Sequence, residues 1–165
     1  MDFHLDTLLG LPNTTVFSYA SELDFIILKL QLIGDGINCS NCNYYTDTVH
    51  QTRPILIRDL SIFGQLVYLK VPRRQFYCPN CKKSPTEPLS WLNKKQRQTT
   101  RYQEYIYNRV KELTVKQVSE NEKMSEDTVQ DIFHKIARLK KSGCAHAFVP
   151  RRFSAPSKTG EHLNA

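Results

Sequence analysis

Two cysteine pairs constrain this chain more than any other feature of its sequence. Cys39-x-x-Cys42 and Cys78-x-x-Cys81 are separated by 35 residues. Each C-x-x-C turn offers two thiolates, and a structural zinc site takes four ligands in a tetrahedron with Zn–S distances of about 2.3 Å. The spacing therefore predicts one structural zinc ion per chain, held by all four cysteines in a zinc-ribbon-like unit.

Other uses of the cysteines are less consistent with their surroundings. Two buried thiol pairs are one alternative and a redox dithiol is another, but a redox C-x-x-C normally opens a helix, which neither pair does here. An enzyme built on these cysteines would need an open metal position, and four thiolates leave none for water. The fifth cysteine, Cys144, is interpreted as a spare thiol.

Hydrophobic periodicity divides the chain into a strand-rich part and a helical part. The pattern predicts a short helix over residues 3–10 and four strands: Thr14 to Ser21, Phe25 to Leu32, Pro54 to Asp59 and Gln65 to Val71. Residues 84–90 are Pro-rich and are interpreted as a joint. Beyond them, three helices are predicted: one around Tyr102 to Leu113, one opened by a Thr114–Gln117 capping box, and one capped by Ser125. The predicted fold class is α+β, with a zinc-ribbon-like domain (1–90), a helix-turn-helix domain (91–141) and a loose tail (142–165).

Charge is distributed unevenly along the chain. Residues 1–50 carry six acidic residues and one lysine, whereas the rest carries 22 basic and ten acidic residues, for a net charge of +7. An acidic segment 1–50 followed by a basic segment 51–165 favours a polyanionic partner that binds one side of the protein. The longest purely apolar run, Phe25 to Leu28, is far shorter than the roughly 20 residues that span a membrane. The N-terminus also lacks the basic start of an export signal, so we expect no membrane partner and a cytoplasmic protein.

The helical part has the dimensions of a helix-turn-helix, whose second helix enters the major groove of DNA. On that basis double-stranded DNA is the expected partner, with base edges and phosphates contacted by different residues. The candidates on the third helix are Ser125, Thr128, Gln130 and Lys135, and those for phosphates are Arg73, Arg74, Lys94, Lys95, Arg97 and Arg101. Glu126, Asp127 and Asp131 would repel phosphates. A three-helix unit that touches no DNA, and basic faces that are merely solvated, therefore stay open as alternatives.

Four segments resemble the N-terminal region of bacterial insertion-sequence transposases of the ISL-three family. The segments are Leu8-Leu9-Gly10-Leu11-Pro12, Cys39-x-x-Cys42, Ile57-Arg58-Asp59-Leu60 and Arg74-x-Phe76-Tyr77-Cys78-Pro79-Asn80-Cys81. The resemblance covers roughly residues 5–140 and is most specific from Ile57 to Cys81. It implies a zinc finger followed by a helix-turn-helix that binds the terminal inverted repeats of a transposon, and a later D-D-E domain that cuts and joins DNA.

The end of the chain departs from that family pattern. Only 26 residues follow Leu139, with Glu161 as their single acidic residue, which is too few for a D-D-E domain. The sequence is therefore interpreted as a DNA-binding fragment of a transposase without its catalytic domain, and we expect no enzymatic activity. A stand-alone zinc-ribbon transcription regulator or transposition repressor is the alternative function. A homodimer is left open.

Overall fold

The computed structural model describes residues 3–142, and the sequence-predicted mixture of strands and helices is confirmed as an α+β fold. Residues 143–165, including Cys144, lie outside the described part. The elements, in chain order, are α1 (Phe3–Leu9), β1 (Thr14–Ser21), β2 (Phe25–Leu32), β3 (Ile37–Asn38), β4 (Tyr45–Thr46), β5 (Val49–Ile62), β6 (Gln65–Phe76), α2 (Thr100–Glu112), α3 (Val115–Glu122) and α4 (Glu126–Lys141).

The predicted hairpin of β1 and β2 is confirmed with the predicted bounds. The two strands pair antiparallel, with Thr14 opposite Leu32 and Ser21 opposite Ile26. In β2 the side chains of Leu28, Leu30 and Leu32 are buried while the intervening Lys29 and Gln31 are exposed. This alternation is the pattern of a strand with one face on a core.

The other two strands are longer than their apolar runs predict. β5 and β6 pair antiparallel along most of their length, from Val49 opposite Phe76 to Ile62 opposite Gln65. They turn at Phe63 and Gly64, which have φ of 50° and 80°. Positive φ at both central residues is typical of the tight hairpin turns that match the twist of a sheet.

The main sheet has the strand order β1-β2-β6-β5, so β2 pairs with β6 and not with its next neighbour in sequence. This pairing is parallel, with Phe25 opposite Leu66 and Lys29 opposite Lys70. The sequence reading did not include this pairing, because it joins residues about 40 positions apart. Its consequence is that the carboxyl ends of β2 and β6 lie at the same edge of the sheet.

The Pro-rich segment 84–90 is packed on the sheet and is not a free joint, so that part of the sequence interpretation is wrong. The N–H of Phe76 donates to the carbonyl of Pro85 at 3.0 Å, and the N–H of Glu87 donates to the carbonyl of Arg74 at 3.0 Å. Gln75 also forms a β-bridge with Thr86. The segment therefore follows the end of β6 on the side that β5 does not occupy.

Two hydrophobic cores lie on the two parts of the chain. The first is formed by the sheet, α1 and the residues just before α2, and includes Trp91 and Leu92. The second lies among α2, α3 and α4, with Leu60 of β5 packed against it. Trp91 and Leu92 thus pack in the core of the sheet, and Leu60 packs against the core of the helices. The division into two domains at residue 90 therefore stays a prediction.

The motif Ile57-Arg58-Asp59-Leu60 forms the joint between the sheet and the helices. Ile57 is buried in the first core and Leu60 contacts the second. Between them, the N–H of Arg58 donates to the carbonyl of Arg97 at 2.8 Å, and the N–H of Thr99 donates to the carbonyl of Arg58 at 3.0 Å. Residues 97–99 thus run beside the outer edge of β5 and lead into α2.

Side chains of the same motif make buried polar contacts with the helices. Asp59 accepts hydrogen bonds from Thr99 Oγ1 at 2.7 Å and Arg101 Nε at 2.8 Å, and forms an ion pair with the Arg101 guanidinium. The Arg58 guanidinium lies between the Tyr68 and Tyr102 rings, 5.1 Å and 5.4 Å from their centroids. It is also 3.6 Å from the buried carboxylate of Glu122. These contacts attach α2 and α3 to the sheet.

The three predicted helices are confirmed, together with the caps predicted for the second and third. Thr114 and Gln117 form the complete capping box of α3, and the Ser125 hydroxyl accepts from the N–H of Thr128 at the start of α4. Between α3 and α4 the chain turns through Lys123, whose backbone is left-handed. Within residues 3–142, no helix has the length and apolar character needed to cross a membrane.

Candidate metal centre and nucleic-acid interface

The four cysteines of the two C-x-x-C turns converge at the edge of the sheet where β2 and β6 end. Their sulfur atoms lie within 4.8 Å of one another. The Sγ atoms of Cys39 and Cys81 are 3.6 Å apart and those of Cys42 and Cys78 are 3.5 Å apart. A zinc ion with four bonds of about 2.3 Å places its sulfurs about 3.8 Å apart. The residues therefore fit a tetrahedral, all-sulfur zinc ion.

The two turns, which we name the first knuckle (39–42) and the second knuckle (78–81), share one backbone geometry. In each, the first cysteine's carbonyl accepts from the N–H four residues later, Asn43 or Lys82, at 2.8 Å and 2.9 Å. Those two residues are left-handed, with φ of 58° and 55°. The N–H of the first cysteine donates to the carbonyl five residues later, that of Tyr44 or Lys83, at 2.8 Å and 2.9 Å. The repeated geometry presents two sulfurs from each knuckle in the same way.

Short contacts hold the knuckles against each other. The Thr46 hydroxyl donates to the carbonyl of Tyr77 at 2.6 Å, and the N–H of Tyr77 donates to the carbonyl of Thr48 at 2.8 Å. Lys83 Nζ donates to Asn41 Oδ1 at 2.9 Å across the top of the site. The chain between the knuckles thus returns alongside the second knuckle instead of leaving the site.

The surroundings of the sulfurs favour thiolates on the first knuckle. Hydrogen bonds from the Asn80 side chain and the Tyr44 backbone lower the pKa of Cys42 to about 6. Backbone N–H groups of Asn41 and Cys42 lower the pKa of Cys39 as well. Burial raises the pKa of Cys81 to about 11. Zinc binds thiolates and displaces their protons, so the metal would supply the positive charge that stabilises the thiolate of the partly buried Cys81.

The basic residues proposed for phosphates fall into two structural groups. Arg73, Arg74 and Arg101 make intramolecular bonds: Arg74 is bidentate to the Glu87 carboxylate at 2.8 Å and 2.7 Å, and Arg73 donates to the Glu87 carbonyl at 2.8 Å. Arg101 pairs with Asp59, as described above. In contrast, Lys94, Lys95 and Arg97 are exposed in the loop before α2.

The loop 95–98 and α4 form the two walls of an open groove of about 740 Å³, which we name the basic groove. Its charged and polar side chains come from both walls. They are Lys95, Arg97, Gln96 and Gln98 from the loop, and Thr128, Asp131, His134, Lys135 and Arg138 from α4. The structure therefore brings two of the predicted phosphate-binding residues next to two residues predicted for the third helix, Thr128 and Lys135.

Some residues of α4 are more available to a ligand than others. Ser125 and Thr128 are 2.7 Å apart through their hydroxyls, and Ser125 caps the helix. Gln130 is exposed on the helix surface. Lys135 is half-buried and donates to Gln103 Oε1 at 3.2 Å, and this burial lowers its pKa. Its position in the groove is therefore fixed by a protein contact.

Sequence reasoning missed the carboxylates that bind the inner arginines. Glu87 lies in the segment 84–90 that was interpreted as a joint, and neither Asp59 nor Glu122 was assigned a partner from the sequence. The signal that could have identified Asp59 was its place in the Ile57–Leu60 motif between apolar residues. Arg138 was not among the predicted site residues, although it lines the groove beside Lys135.

The fold and the cysteine centre define a class: a zinc-ribbon protein with an attached helix-turn-helix of the DNA-binding type. Two family models match the chain and specify this class further. Residues 35–81 match the zinc-finger of transposase IS204/IS1001/IS1096/IS1165, and residues 87–137 match the helix-turn-helix domain of transposase family ISL3. These two regions are thus similar to the zinc ribbon and the helix-turn-helix of ISL3-type transposases, the family that the four sequence segments resemble.

One curated relative is also similar to part of the chain. The transposase for insertion sequence element IS1001 of Bordetella parapertussis is 41% identical over 63 residues. The match covers 38% of this chain and 16% of the relative's own length. No solved structure matches the chain.

Proposed function

We propose that this chain binds double-stranded DNA at the terminal inverted repeats of an insertion sequence. In this proposal the zinc ribbon stabilises one end of the sheet, and α3 and α4 act as the helix-turn-helix. The observation that carries the proposal is the basic groove, in which an exposed basic loop faces the exposed side of α4. A helix flanked by a basic segment provides both kinds of contact that sequence-specific DNA binding needs, to bases and to phosphates.

The phosphate contacts are assigned to Lys94, Lys95 and Arg97, with Arg138 added from the far end of the groove. These side chains are exposed, and none of the four is in an ion pair within residues 3–142. Cationic side chains that displace counterions from DNA supply much of its salt-dependent affinity. The guanidinium groups of Arg73, Arg74 and Arg101 are assigned to the fold instead, because each is already bonded to a carboxylate or a carbonyl.

Base recognition is assigned to the first half of α4. Gln130 is exposed there and carries the amide that pairs bidentately with adenine in the major groove. Thr128 and Ser125 can each offer a hydroxyl, but these two groups bond to each other and to the helix start. Gln130 is therefore the stronger candidate for discriminating between bases.

The assignment of phosphate contacts is tested by salt dependence. Arg97→Ala should weaken binding to every duplex by a similar factor and reduce the salt slope by about one unit. Lys29→Ala is the matched control, since Lys29 is an exposed cation on β2 and does not line the groove. If the two variants give the same slope, the loop is not in contact with DNA.

The assignment of base contacts is tested by competition between duplexes. Gln130→Ala should cost about 1–3 kcal/mol on the preferred duplex and little on a shuffled one. An equal loss on both duplexes, or no loss on either, would remove α4 as the reading helix.

We further infer that the described region binds DNA without cutting it. Within residues 3–142 the four cysteines are the one group of three or more metal-binding side chains brought together, and a zinc ion held by four thiolates has no open position at which to activate water. Duplexes carrying the element's ends should therefore stay intact when incubated with the protein and Mg²⁺ or Mn²⁺. Strand cleavage that follows the protein through repeated purification would contradict this inference.

A further inference from the structure

Asp131 stands out among the side chains of α4 because it is acidic and faces a basic groove. It is exposed and contributes to the lining of the groove together with Lys135 and Arg138. The buried residues of the helix, Val129, Ile132 and Ile136, form a separate stripe, of which Ile132 borders the groove. Residues 131, 135 and 138 are spaced by four and three positions, which places them along one face of a helix.

The carboxylate of Asp131 is not used by the protein itself. Within residues 3–142 it has neither an ion pair nor a hydrogen-bond partner, although cationic side chains line the same groove. This differs from Asp59 and Glu87, whose carboxylates bind arginines. Asp131 therefore has no evident role in stability that would account for an acid at this position.

The charge of the carboxylate limits what it can meet when DNA is bound. A phosphate is a like charge and is repelled, whereas Lys95 and Arg97 on the opposite wall attract the same phosphate. With the backbone held on the basic loop and on Arg138, about two helical turns further along α4, the position of Asp131 is left for the base edges. An ionised carboxylate only accepts hydrogen bonds, so it requires a donor there.

Only two bases present such a donor in the major groove. Cytosine offers its N4 amino group and adenine its N6 amino group, whereas guanine presents acceptors, and thymine an acceptor and a methyl group, at the corresponding positions. A carboxylate facing guanine or thymine oxygens would meet repulsion. The carboxylate is therefore attracted to cytosine and adenine and repelled by guanine and thymine.

We propose that Asp131 is a specificity-determining residue that accepts a hydrogen bond from the exocyclic amino group of a cytosine or adenine in the major groove. The proposal rests on the proposed function, since it requires α4 to enter DNA. Under it, Asp131 acts by rejecting guanine and thymine at one position of the site. It adds little to overall affinity, because its charge opposes binding elsewhere on the duplex.

The test is selection of bound duplexes from a randomised pool by the full, zinc-loaded chain, followed by affinity measurements on single-base variants of the preferred duplex. Wild type should prefer cytosine or adenine at one position by about tenfold over guanine and thymine. Asp131→Ala should reduce that preference to below about twofold, leave the other positions unchanged, and bind shuffled DNA more tightly than wild type does. Glu112→Gln is the matched control, since it removes one negative charge from an exposed residue of α2 and does not line the groove.

Each other outcome overturns a defined claim. If Asp131→Ala tightens binding to all duplexes by one factor and keeps the base preferences of wild type, the carboxylate only repels DNA and the proposal is wrong. The same holds if the position it controls prefers guanine or thymine. If wild type binds no DNA, or binds without any base preference, the proposed function fails as well. That result is visible before any variant is compared. A thermal midpoint equal to that of wild type verifies that the exposed substitution leaves the fold intact.

Discussion

Removing the Asp59 carboxylate should destabilise the protein more than any surface charge does. Its side chain is 2% exposed and bonds both the guanidinium of Arg101 and the hydroxyl of Thr99, the residue that caps α2. Asp59→Ala leaves these two groups without their partner at the junction of the sheet and the helices. Removing one member of a buried ion pair costs about 3–5 kcal/mol. Because Arg101 remains 30% exposed, water can reach its guanidinium and we expect the lower end, about 3 kcal/mol.

Urea unfolding of the zinc-loaded protein measures this loss. With an m-value of about 2 kcal/mol/M, a loss of about 3 kcal/mol lowers the midpoint by about 1.5 M. Asp24→Ala is the matched control, because Asp24 forms an exposed pair with Lys123 at 3.9 Å, with side chains 76% and 60% exposed. Such pairs contribute about 0–1 kcal/mol. If both variants shift the midpoint by the same small amount, the Asp59 contacts do not hold α2 on the sheet.

Further predictions concern the metal and the first helix. Cys78→Ser should abolish stoichiometric zinc in elemental analysis and unfold the knuckles, because three thiolates do not complete the tetrahedron; a variant that keeps one zinc and wild-type stability would contradict the assignment. Asp6 accepts hydrogen bonds from Thr15 Oγ1 and from the N–H of Val16, each at 2.6 Å. Both bonds lower the pKa of Asp6, and the bond from Thr15 has the larger effect. A carboxyl whose pKa is lower in the folded than in the unfolded chain stabilises the fold above its unfolded pKa and loses this effect as the pH falls through its folded pKa. In urea titrations, Asp6→Asn should therefore be less stable than wild type at neutral pH, and the gap should narrow below about pH 4; a gap independent of pH would contradict the role of Asp6.

Local signals explain why several elements could be predicted to within a residue. The turn residues 21–24 lie between two alternating runs, and the strands on either side have the predicted bounds. The caps of α3 and α4 are equally local signals, each contained within four residues. Thr114 and Gln117 form the capping box of α3, and Ser125 caps α4. The cysteine spacing works in the same way, because each knuckle is a single turn with its own geometry.

Contacts between distant residues could not be predicted from those signals. The parallel pairing of β2 with β6 depends on which strand edges are left free once both hairpins have formed. Whether an arginine is bonded within the protein or exposed to solvent also depends on distant residues. Arg101 and Arg97 are four positions apart and chemically alike, but a carboxylate 42 residues away binds the first and leaves the second exposed. The sequence alone therefore predicts phosphate contacts for both Arg97 and Arg101.

Competition binding on the DNA that flanks the coding sequence tests the central claim most directly. The zinc-loaded chain would be titrated against duplexes from both flanks and against shuffled duplexes of equal length and composition, at fixed salt near 0.15 M. We expect both flanks to contain the same inverted sequence and to bind at least about 10³-fold more tightly than the shuffled duplexes. Equal affinity for flanking and shuffled DNA would contradict recognition of transposon ends by this protein.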